Sequence, residues 1–171
     1  MIRIDDFRVV NDFPKPGIKF YDITTLMNNA DSFKQAFEEL LGAAKAMKPD
    51  VIVALETRGY FFGPSIALAL GVPFVPIRKK GKLPYKTYCQ EYQLEYGVDS
   101  IEMHVDAMAE GKRVLIFDDI LATGGTASAA IKLVKNFNPA SADVLFIMEI
   151  TALNGRKRLT EASSVTSLLS I

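Results

Sequence analysis

The segment that most constrains the fold of this chain runs from Val114 to Thr126 and reads VLIFDDILATGGT. Its first four residues, Val114 to Phe117, form an unbroken apolar run of the kind that is buried on both faces of a parallel sheet. Asp118 and Asp119 follow this run, and a turn with two adjacent glycines then leads into a helix from about residue 125 to residue 136. The segment therefore predicts a buried strand, a polar glycine-containing turn and the start of a helix.

The same alternation of apolar strand and amphipathic helix recurs along the chain. Helical spacing of apolar residues follows Asp31, which we interpret as the N-cap, and the pattern ends at Pro49. The other predicted elements are a strand at 51–56, a helix at about 63–70, a strand at 74–78 and a strand at 143–150. This order predicts an α/β fold with a parallel sheet, in which ligands bind beyond the carboxyl ends of the strands.

The pattern changes between Lys79 and Met103, where the sequence is polar and rich in tyrosine. Because long excursions in compact domains are usually functional, we expect a long loop or hairpin near the active face. His104 lies in the alternating stretch IEMHV, and we interpret it as a structural or surface histidine. We expect no redox role for Cys89.

Composition excludes several classes of function. The 20 basic and 20 acidic residues cancel, so the chain has no general electrostatic attraction for nucleic acid or for anionic membranes. The single cysteine rules out an internal disulfide and fits a reducing cytoplasm. The start of the sequence lacks the profile of a signal peptide, and no apolar run approaches the roughly 20 residues that span a bilayer. We expect a cytoplasmic protein.

The residues after the buried strand at 114–117 suit a phosphorylated sugar. Backbone N–H groups of a glycine-containing turn at a helix N-terminus form a cradle for a phosphate monoester, and nearby hydroxyl groups add donors. The carboxylates of Asp118 and Asp119 suit the vicinal hydroxyls of a ribose. The predicted ribose 5-phosphate site consists of Asp118, Asp119, Ala122, Thr123, Gly124, Gly125 and Thr126.

Other interpretations of this loop can be compared with the sequence. A Walker A loop requires a lysine after its last glycine, but Thr126 follows Gly125, and the GxGxxG fingerprint of dinucleotide-binding folds is absent. The remaining alternative is purely structural, with two aspartates that cap the helix and glycines that only form a turn. The ordered combination of strand, carboxylates, glycines and hydroxyls favours the sugar-phosphate site.

The segment VLIFDDILATGGT resembles the phosphoribosyl pyrophosphate signature of the type I phosphoribosyltransferases. Further segments resemble the members of that family that use adenine, and these matches extend over most of the chain. They are FPKPGIKFYDIT (Phe13 to Thr24), ETRGYFFGP (Glu56 to Pro64), VPIRKKGKLP (Val75 to Pro84), YQLEYG (Tyr92 to Gly97) and EITALNGRKRL (Glu149 to Leu159). The resemblance implies one phosphoribosyltransferase domain over residues 1–171, with a parallel sheet, flanking helices and a flexible active-site loop or hairpin.

The resemblance also implies a reaction and its ligands. The expected reaction transfers the 5-phosphoribosyl group from phosphoribosyl pyrophosphate to adenine, giving AMP and pyrophosphate in purine salvage. Mg²⁺ is expected to arrive with the pyrophosphate oxygens, so no dedicated protein ligands for a metal are expected. The family pattern further implies a homodimer, and it implies a non-proline cis peptide bond between Glu56 and Thr57.

Similarity to the family assigns roles to particular side chains. The residues expected to bind pyrophosphate are Arg58, Arg78, Lys79 and Lys82, with Arg78 reaching across the dimer interface. The residues expected to bind adenine are Phe20 by stacking, Ile150 as an apolar wall, and Lys19 and Tyr21 through their backbones. Glu95 is expected to lie on the active-site lid and to handle the proton in catalysis.

The sequence departs from the family pattern at two places. Tyr21 stands where relatives usually have a basic residue, and the segment at 88–91 replaces small polar residues with Tyr-Cys-Gln-Glu. Two alternative functions stay open, and the segment at 88–91 is the main reason for the first of them. One is a phosphoribosyltransferase for another purine (hypoxanthine, guanine or xanthine), and the other is a regulator that senses phosphoribosyl pyrophosphate without turning it over.

Overall fold

The structure of the protein is a computed structural model that describes residues 2–93 and 97–171. The strands are β1 (Arg8–Asn11), β2 (Lys19–Asp22), β3 (Val51–Leu55), β4 (Phe74–Lys79), β5 (Thr87–Gln93), β6 (Val98–His104), β7 (Arg113–Leu121), β8 (Ser141–Glu149) and β9 (Ser164–Ser170). The helices are α1 (Thr24–Met27), α2 (Ala30–Met47), α3 (Gly63–Leu70) and α4 (Gly125–Lys135). Short 3₁₀ turns cover Ile4–Asp6, Arg58–Phe61, Thr151–Leu153 and Gly155–Arg158.

Seven of these strands form the central sheet, in the spatial order β5-β6-β4-β3-β7-β8-β9. The five strands from β4 to β9 in this order pair in parallel, whereas β5 and β6 form an antiparallel hairpin on the edge at β4. The predicted α/β fold with a mostly parallel sheet is therefore confirmed. The excursion at 79–103 is a hairpin, as one of the two expected forms, whereas the small β1–β2 hairpin was not predicted from the sequence.

Alternate residues of the buried strands face two separate cores. In β3, Val51, Val53 and Leu55 join the core under α4 and the β5–β6 hairpin. Ile52 and Ala54 face the opposite side, where α2 and α3 cover the sheet. All five residues are buried, which explains why this strand is an apolar run without polar alternation.

Several predicted boundaries differ from the structure by one or more residues, and two of these differences have a clear local cause. The N-cap of α2 is Asn29 rather than Asp31, because the Asn29 side chain accepts hydrogen bonds from the backbone N–H groups of Asp31 and Ser32 at 2.9 and 3.1 Å. The strand β7 continues to Leu121, so Asp118 and Asp119 lie within it rather than after it. Pairing with β8 continues over these residues, and it fixes the direction in which their carboxylates point.

Among the residues that the structure describes, no helix combines the length and the apolar character that crossing a bilayer requires.

Candidate active site

The candidate site lies along the carboxyl edge of the parallel strands. In the register of the sheet, Ala54 of β3 is paired with Phe117 of β7, so the turn that follows β3 lies beside the last part of β7, which carries Asp118 and Asp119. Leu55 is paired with Ile77 in the same way, which brings the end of β4 to the same edge. Three segments that are distant in sequence therefore meet at one edge, as the parallel fold requires.

The loop after β7 encloses a cavity of about 160 Å³. Its lining consists of Arg58, Asp118, Ile120, Leu121, Ala122, Thr123, Gly124, Gly125, Thr126 and Ala127. This list includes six of the seven residues predicted to bind ribose 5-phosphate. The first residue of α4 is Gly125, so the N-terminal N–H groups of that helix lie at this loop, where they suit an anion.

Two glycines hold the shape of this loop, and one of them was not singled out in the sequence. Gly124 has a φ of +79°, and a Cβ atom added to it would lie 2.4 Å from the carbonyl oxygen of Gly155. A Cβ atom on Gly155 would lie 2.1 Å from the carbonyl oxygen of Ala122. The backbone of the Asn154–Gly155 turn therefore packs directly against the loop at 122–126, which we call the phosphate loop after the ligand predicted for it. The Asn-Gly pair was the signal in the sequence that pointed to a tight turn.

The two aspartates of the loop have different surroundings. Asp119 is only 1% exposed and forms an ion pair with Arg58. Asp118 accepts a hydrogen bond from the backbone N–H group of Asp119 at 3.0 Å and lines the cavity of about 160 Å³. Burial and the neighbouring charge of Asp119 together raise the pKa of Asp118. Asp118 is therefore the carboxylate that faces the cavity, whereas Asp119 orients Arg58.

A second cavity, of about 330 Å³, adjoins the first on the side of β4. Its lining consists of Glu56, Thr57, Arg58, Lys79, Tyr92, Ile101, Asp118, Asp119 and Thr126. Asp118, Arg58 and Thr126 belong to both cavities, so the two are parts of one site. The peptide bond between Glu56 and Thr57 is cis, as predicted.

Carboxylates engage three of the four cations that were predicted to bind pyrophosphate. Arg58 pairs with Asp119, and the Arg78 side chain donates to the two carboxylate oxygens of Glu56 at 3.0 and 3.3 Å. Lys79 pairs with Asp99. Burial alone would lower the pKa of Arg58, but the charge and hydrogen bond of Asp119, together with the charges of Asp118 and Asp22, outweigh burial and raise that pKa. The hydrogen bond from Arg78 is the main reason why the pKa of Glu56 is lowered.

The fourth predicted cation, Lys82, has an exposed side chain and lies in the loop after β4, where its backbone is held by a hydrogen bond. Glu102 of β6, 5% exposed, accepts hydrogen bonds from the backbone N–H groups of Lys82 and Leu83 at 3.1 and 3.0 Å. Burial would raise the pKa of Glu102, but these backbone donors, together with the backbone of Gly81 and the hydroxyl group of Thr87, outweigh burial and lower that pKa. Glu102 was not predicted from the sequence. The alternation of residues along a strand does not show that backbone N–H groups of a neighbouring loop donate hydrogen bonds to a buried carboxylate.

The residues predicted to bind adenine lie in two places. Phe20 is in β2, and its ring lies 5.8 Å from the guanidinium carbon of Arg58, which connects the β1–β2 hairpin with the phosphate side of the site. Phe13 packs edge-on against Phe20 at 5.2 Å. Lys19 is exposed at the start of β2, and Tyr21 packs against the core under α2 and α3. The packing of Tyr21 explains how an aromatic residue is accommodated at this position.

Ile150 directly follows β8, and its backbone N–H group donates to the carbonyl oxygen of Leu121 at 2.9 Å. This bond places Ile150 beside the start of the phosphate loop. Just before it, Glu149 is 6% exposed and accepts two hydrogen bonds from Arg156 Nε, at 3.0 and 3.1 Å. Sequence reasoning did not identify this pair, which ties the end of β8 to the Asn154–Gly155 turn.

Replacement of Glu149 by glutamine is expected to destabilise the fold by about 1.5–3 kcal/mol at pH 7, the usual range for hydrogen bonds to charged groups. The hydrogen bonds from Arg156 lower the pKa of Glu149 below its ordinary value of 4.5. The stabilisation is therefore complete above that ordinary value and is lost as the pH falls through the lowered pKa. Urea unfolding at pH 7, 5 and 3.5 measures the gap between the parent protein and Glu149→Gln, which should narrow at the lowest pH.

The matched control for this prediction is Glu38→Gln, which makes the same chemical change at a carboxylate with 62% exposure on α2. We expect this variant to remain within about 0.5 kcal/mol of the parent protein at every pH. A gap between the parent and Glu149→Gln that did not change with pH would contradict the proposed role of the Glu149 charge.

Several remaining predictions concern the β5–β6 hairpin. Glu95 lies outside the described residues, so its assignment stays a prediction from the sequence. His104 is partly buried at the end of β6, with its ring 6.2 Å from that of Tyr85. Its Nε2 atom is buried and has no hydrogen-bond partner among the residues that the structure describes. Tyr88 packs edge-on against Phe137 at 5.5 Å, and Cys89 is exposed. The packing of Tyr88 against the end of α4 gives the segment at 88–91 a structural explanation.

No group of three or more histidine, cysteine or acidic side chains that could hold a metal occurs within residues 2–93 and 97–171. Asp118 is the acidic side chain that lines both cavities, and Asp119, which lines the larger one, is paired with Arg58.

The sequence and the fold are similar to those of known proteins. A family model described as the phosphoribosyl transferase domain matches residues 22–168. The chain is 47% identical to the adenine phosphoribosyltransferase of Desulfitobacterium hafniense over 162 residues, which cover 95% of this chain and 93% of the relative. It is 50% identical to the enzyme of the same name from Caldanaerobacter subterraneus over 152 residues, which cover 89% of this chain and 88% of the relative.

Solved structures agree with these sequence matches. The crystal structure of adenine phosphoribosyltransferase from Thermoanaerobacter pseudethanolicus has a TM-score of 0.93 and 47% identity, and the match covers 98% of this chain and 96% of that one. The enzyme from Saccharomyces cerevisiae, solved with an imino-altritol bisphosphate and adenine, has a TM-score of 0.86 and 41% identity, with 95% and 94% of the two chains covered.

Proposed function

The chain belongs to the phosphoribosyl transferase family, and from that premise we propose that its site transfers the 5-phosphoribosyl group from phosphoribosyl pyrophosphate to adenine, giving AMP and pyrophosphate. The observation that carries this proposal is the pair of adjoining cavities at one sheet edge. One cavity combines a carboxylate with the phosphate loop, and the other contains the cationic side chains of Arg58 and Lys79 together with the acidic side chains of Glu56, Asp118 and Asp119. A sugar phosphate and a pyrophosphate group require these two environments side by side.

The placement of the substrate follows from the chemistry of each cavity. The 5-phosphate binds the loop from Ala122 to Thr126, where backbone N–H groups and two hydroxyl groups serve as donors. The ribose hydroxyls donate to Asp118, which faces both cavities. The pyrophosphate group then extends into the larger cavity toward Arg58 and Lys79. Arg78 and Lys82 lie at the end of β4 and on the loop after it, where they extend the positive region.

In the proposed reaction, a ring nitrogen of adenine forms a bond to C1 of the ribose while the bond from C1 to pyrophosphate breaks. Positive charge develops on the ribose, and negative charge develops on the leaving group. Cations that already point into the cavity stabilise the departing pyrophosphate, and such preorganised charge is usually the largest contribution to the rate. Mg²⁺ that arrives with the pyrophosphate oxygens supplies further neutralisation. The adenine ring loses one proton, and Glu95 is the residue that we propose for handling it.

Adenine itself is proposed to stack on Phe20, next to Arg58. Ile150 forms the apolar wall, and the backbones of Lys19 and Tyr21 read the polar edge of the base. The support for this placement is the contact of Phe20 with Arg58 and the backbone bond between Ile150 and Leu121.

We also propose that the protein acts as a homodimer in the cytoplasm and does not bind nucleic acid. The balanced charge of 20 basic and 20 acidic residues and the single cysteine support the last two points. The dimer rests on the family pattern, in which Arg78 contributes to the partner's site. Sedimentation velocity at micromolar concentration tests the dimer directly.

A turnover assay with four purines tests the proposed function. We expect adenine to be converted to AMP in the presence of phosphoribosyl pyrophosphate and Mg²⁺, with kcat/KM at least about a hundredfold above that for hypoxanthine, guanine or xanthine, since a site that matches the donors of one base rejects bases that leave them unpaired. Preference for another purine would replace the adenine assignment and keep the phosphoribosyl transfer. Binding of phosphoribosyl pyrophosphate without turnover of any base would favour the regulator instead.

A further inference from the structure

The ammonium group of Lys79 has two partners on the β5–β6 hairpin, and neither was expected from the sequence. It forms an ion pair with Asp99 of β6, and it donates a hydrogen bond to the hydroxyl oxygen of Tyr92 of β5 at 3.1 Å. The Tyr92 hydroxyl group in turn donates to the same carboxylate oxygen of Asp99 at 3.2 Å. These three side chains form a closed triangle of polar contacts, which we call the Lys79 triangle.

The pairing of the strands explains why the triangle forms. Tyr92 lies directly opposite Asp99 across the hairpin, and Lys79 lies opposite Ile101, two residues further along β6. Residues two apart on a strand share one face of the sheet, so all three side chains point to the same side. That side is the pyrophosphate cavity, because Lys79, Tyr92 and Ile101 all line it.

The triangle lies close to the last pairs of the hairpin that the structure describes. The last two described pairs before residues 94–96 are Tyr92 with Asp99 and Gln93 with Val98. The carbonyl oxygen of Gln93 lies only 3.0 Å from the position that a Cβ atom on Gly125 would occupy. At the end of β5, Tyr92 thus lines the larger cavity, and Gln93 lies against the first residue of α4.

Electrostatics makes Asp99 a competitor for any anion in this cavity. The hydrogen bond from Lys79 lowers the pKa of Asp99, so its carboxylate is charged at neutral pH. Burial would lower the pKa of Lys79, but its bonds to Asp99 and Tyr92 outweigh burial and raise that pKa. A pyrophosphate oxygen that binds the ammonium group has to replace or share this carboxylate.

We propose that Asp99, fixed by Tyr92, is a positioning residue that competes with the pyrophosphate group for the ammonium group of Lys79 and so assists release of pyrophosphate after transfer. The inference rests on the proposed function, because it names pyrophosphate as the competing anion. When pyrophosphate leaves, Asp99 takes the ammonium group back.

Calorimetric titration with magnesium pyrophosphate tests the proposal on the full chain. We expect Asp99→Asn to bind pyrophosphate about fivefold more tightly than the parent protein, the upper end for a partly exposed ion pair. Tyr92→Phe keeps the buried ring and removes only the hydroxyl group, so we expect a smaller change in the same direction. In steady-state assays, Asp99→Asn should show a lower KM for phosphoribosyl pyrophosphate and a lower kcat, because the product leaves more slowly.

The matched control is Asp50→Asn, which makes the same chemical change and breaks an ion pair of similar exposure between Asp50 and Arg113. This pair lies at the amino-terminal ends of β3 and β7, away from the candidate site. This control should bind pyrophosphate like the parent protein. General damage to the hairpin would weaken binding, so the expected tightening separates a positioning role from a structural one.

The outcomes distinguish this inference from the proposed function. Binding by Asp99→Asn that is equal to or weaker than that of the parent protein would overturn the role of Asp99 and leave the transfer reaction intact. Should Asp99→Asn fail to fold, unchanged or weaker binding by Tyr92→Phe would overturn it equally. Failure of the parent protein to bind magnesium pyrophosphate at all would contradict the proposed function itself.

Discussion

Substitution of Gly155 by alanine is expected to lower kcat/KM for phosphoribosyl pyrophosphate by about a hundredfold or more, because displacements of about 1 Å in a positioning loop have effects of that size. The added Cβ atom would lie 2.1 Å from the carbonyl oxygen of Ala122 and 3.0 Å from the backbone nitrogen of Gly124. Both neighbours are backbone atoms of the phosphate loop, so no side chain can rotate to relieve the contact. The loop itself has to move.

Two measurements separate an effect on the loop from general loss of structure. Thermal or urea unfolding of Gly155→Ala should show a loss of about 1–3 kcal/mol, typical of overpacking, with the protein still folded at 25 °C. Gly42→Ala is the control, because Gly42 lies in α2 with nothing within 4 Å of its added Cβ atom. That change should stabilise the helix by about 0.5–1 kcal/mol and leave turnover unchanged. Full activity in Gly155→Ala would contradict the role of the turn.

Substitution of Glu95 by glutamine is expected to lower kcat by about a hundred- to ten-thousandfold, the usual contribution of a general acid or base. The change keeps the size of the side chain and removes its ability to exchange a proton at neutral pH. Binding of phosphoribosyl pyrophosphate should change far less than kcat, because the role assigned to Glu95 concerns the proton and not the pyrophosphate. The measurements are single-turnover rates with adenine and calorimetric binding of phosphoribosyl pyrophosphate.

The control for the proton role is Glu38→Gln, the same change on the exposed side of α2. Its kcat should equal that of the parent protein. If Glu95→Gln also turned over adenine at the parent rate, Glu95 would be removed from the mechanism, although the transfer reaction would remain. A loss confined to KM would assign Glu95 to substrate binding.

Much of the fold was predictable because the buried elements carry strong local signals. The five-residue run of β3 is apolar throughout, and the helix predicted at 63–70 begins and ends at those residues in the structure. The boundaries that were wrong depend on particular hydrogen bonds. Asn29 and Asp31 are both good N-cap residues, and only the bonds donated to Asn29 decide between them.

The candidate site was predictable only where its residues are continuous in sequence. The run from Val114 to Thr126 alone determined a strand, a pair of carboxylates and an anion-binding turn, because the phosphate loop is continuous in sequence. Resemblance to a family then supplied the pyrophosphate and adenine residues, and it supplied Glu95, which the described part of the structure does not include.

Tertiary structure alone decided which partner each charged residue has. Arg58 with Asp119, Arg78 with Glu56 and Lys79 with Asp99 are separated by 61, 22 and 20 residues in sequence. Such pairs follow from strand order and register, which no local pattern encodes. The contact between Gly155 and Ala122 was equally unpredictable from the sequence, because it joins two backbone segments and involves no characteristic side chain. The sequence determined which functional groups the chain carries, and the sheet determined which of them meet.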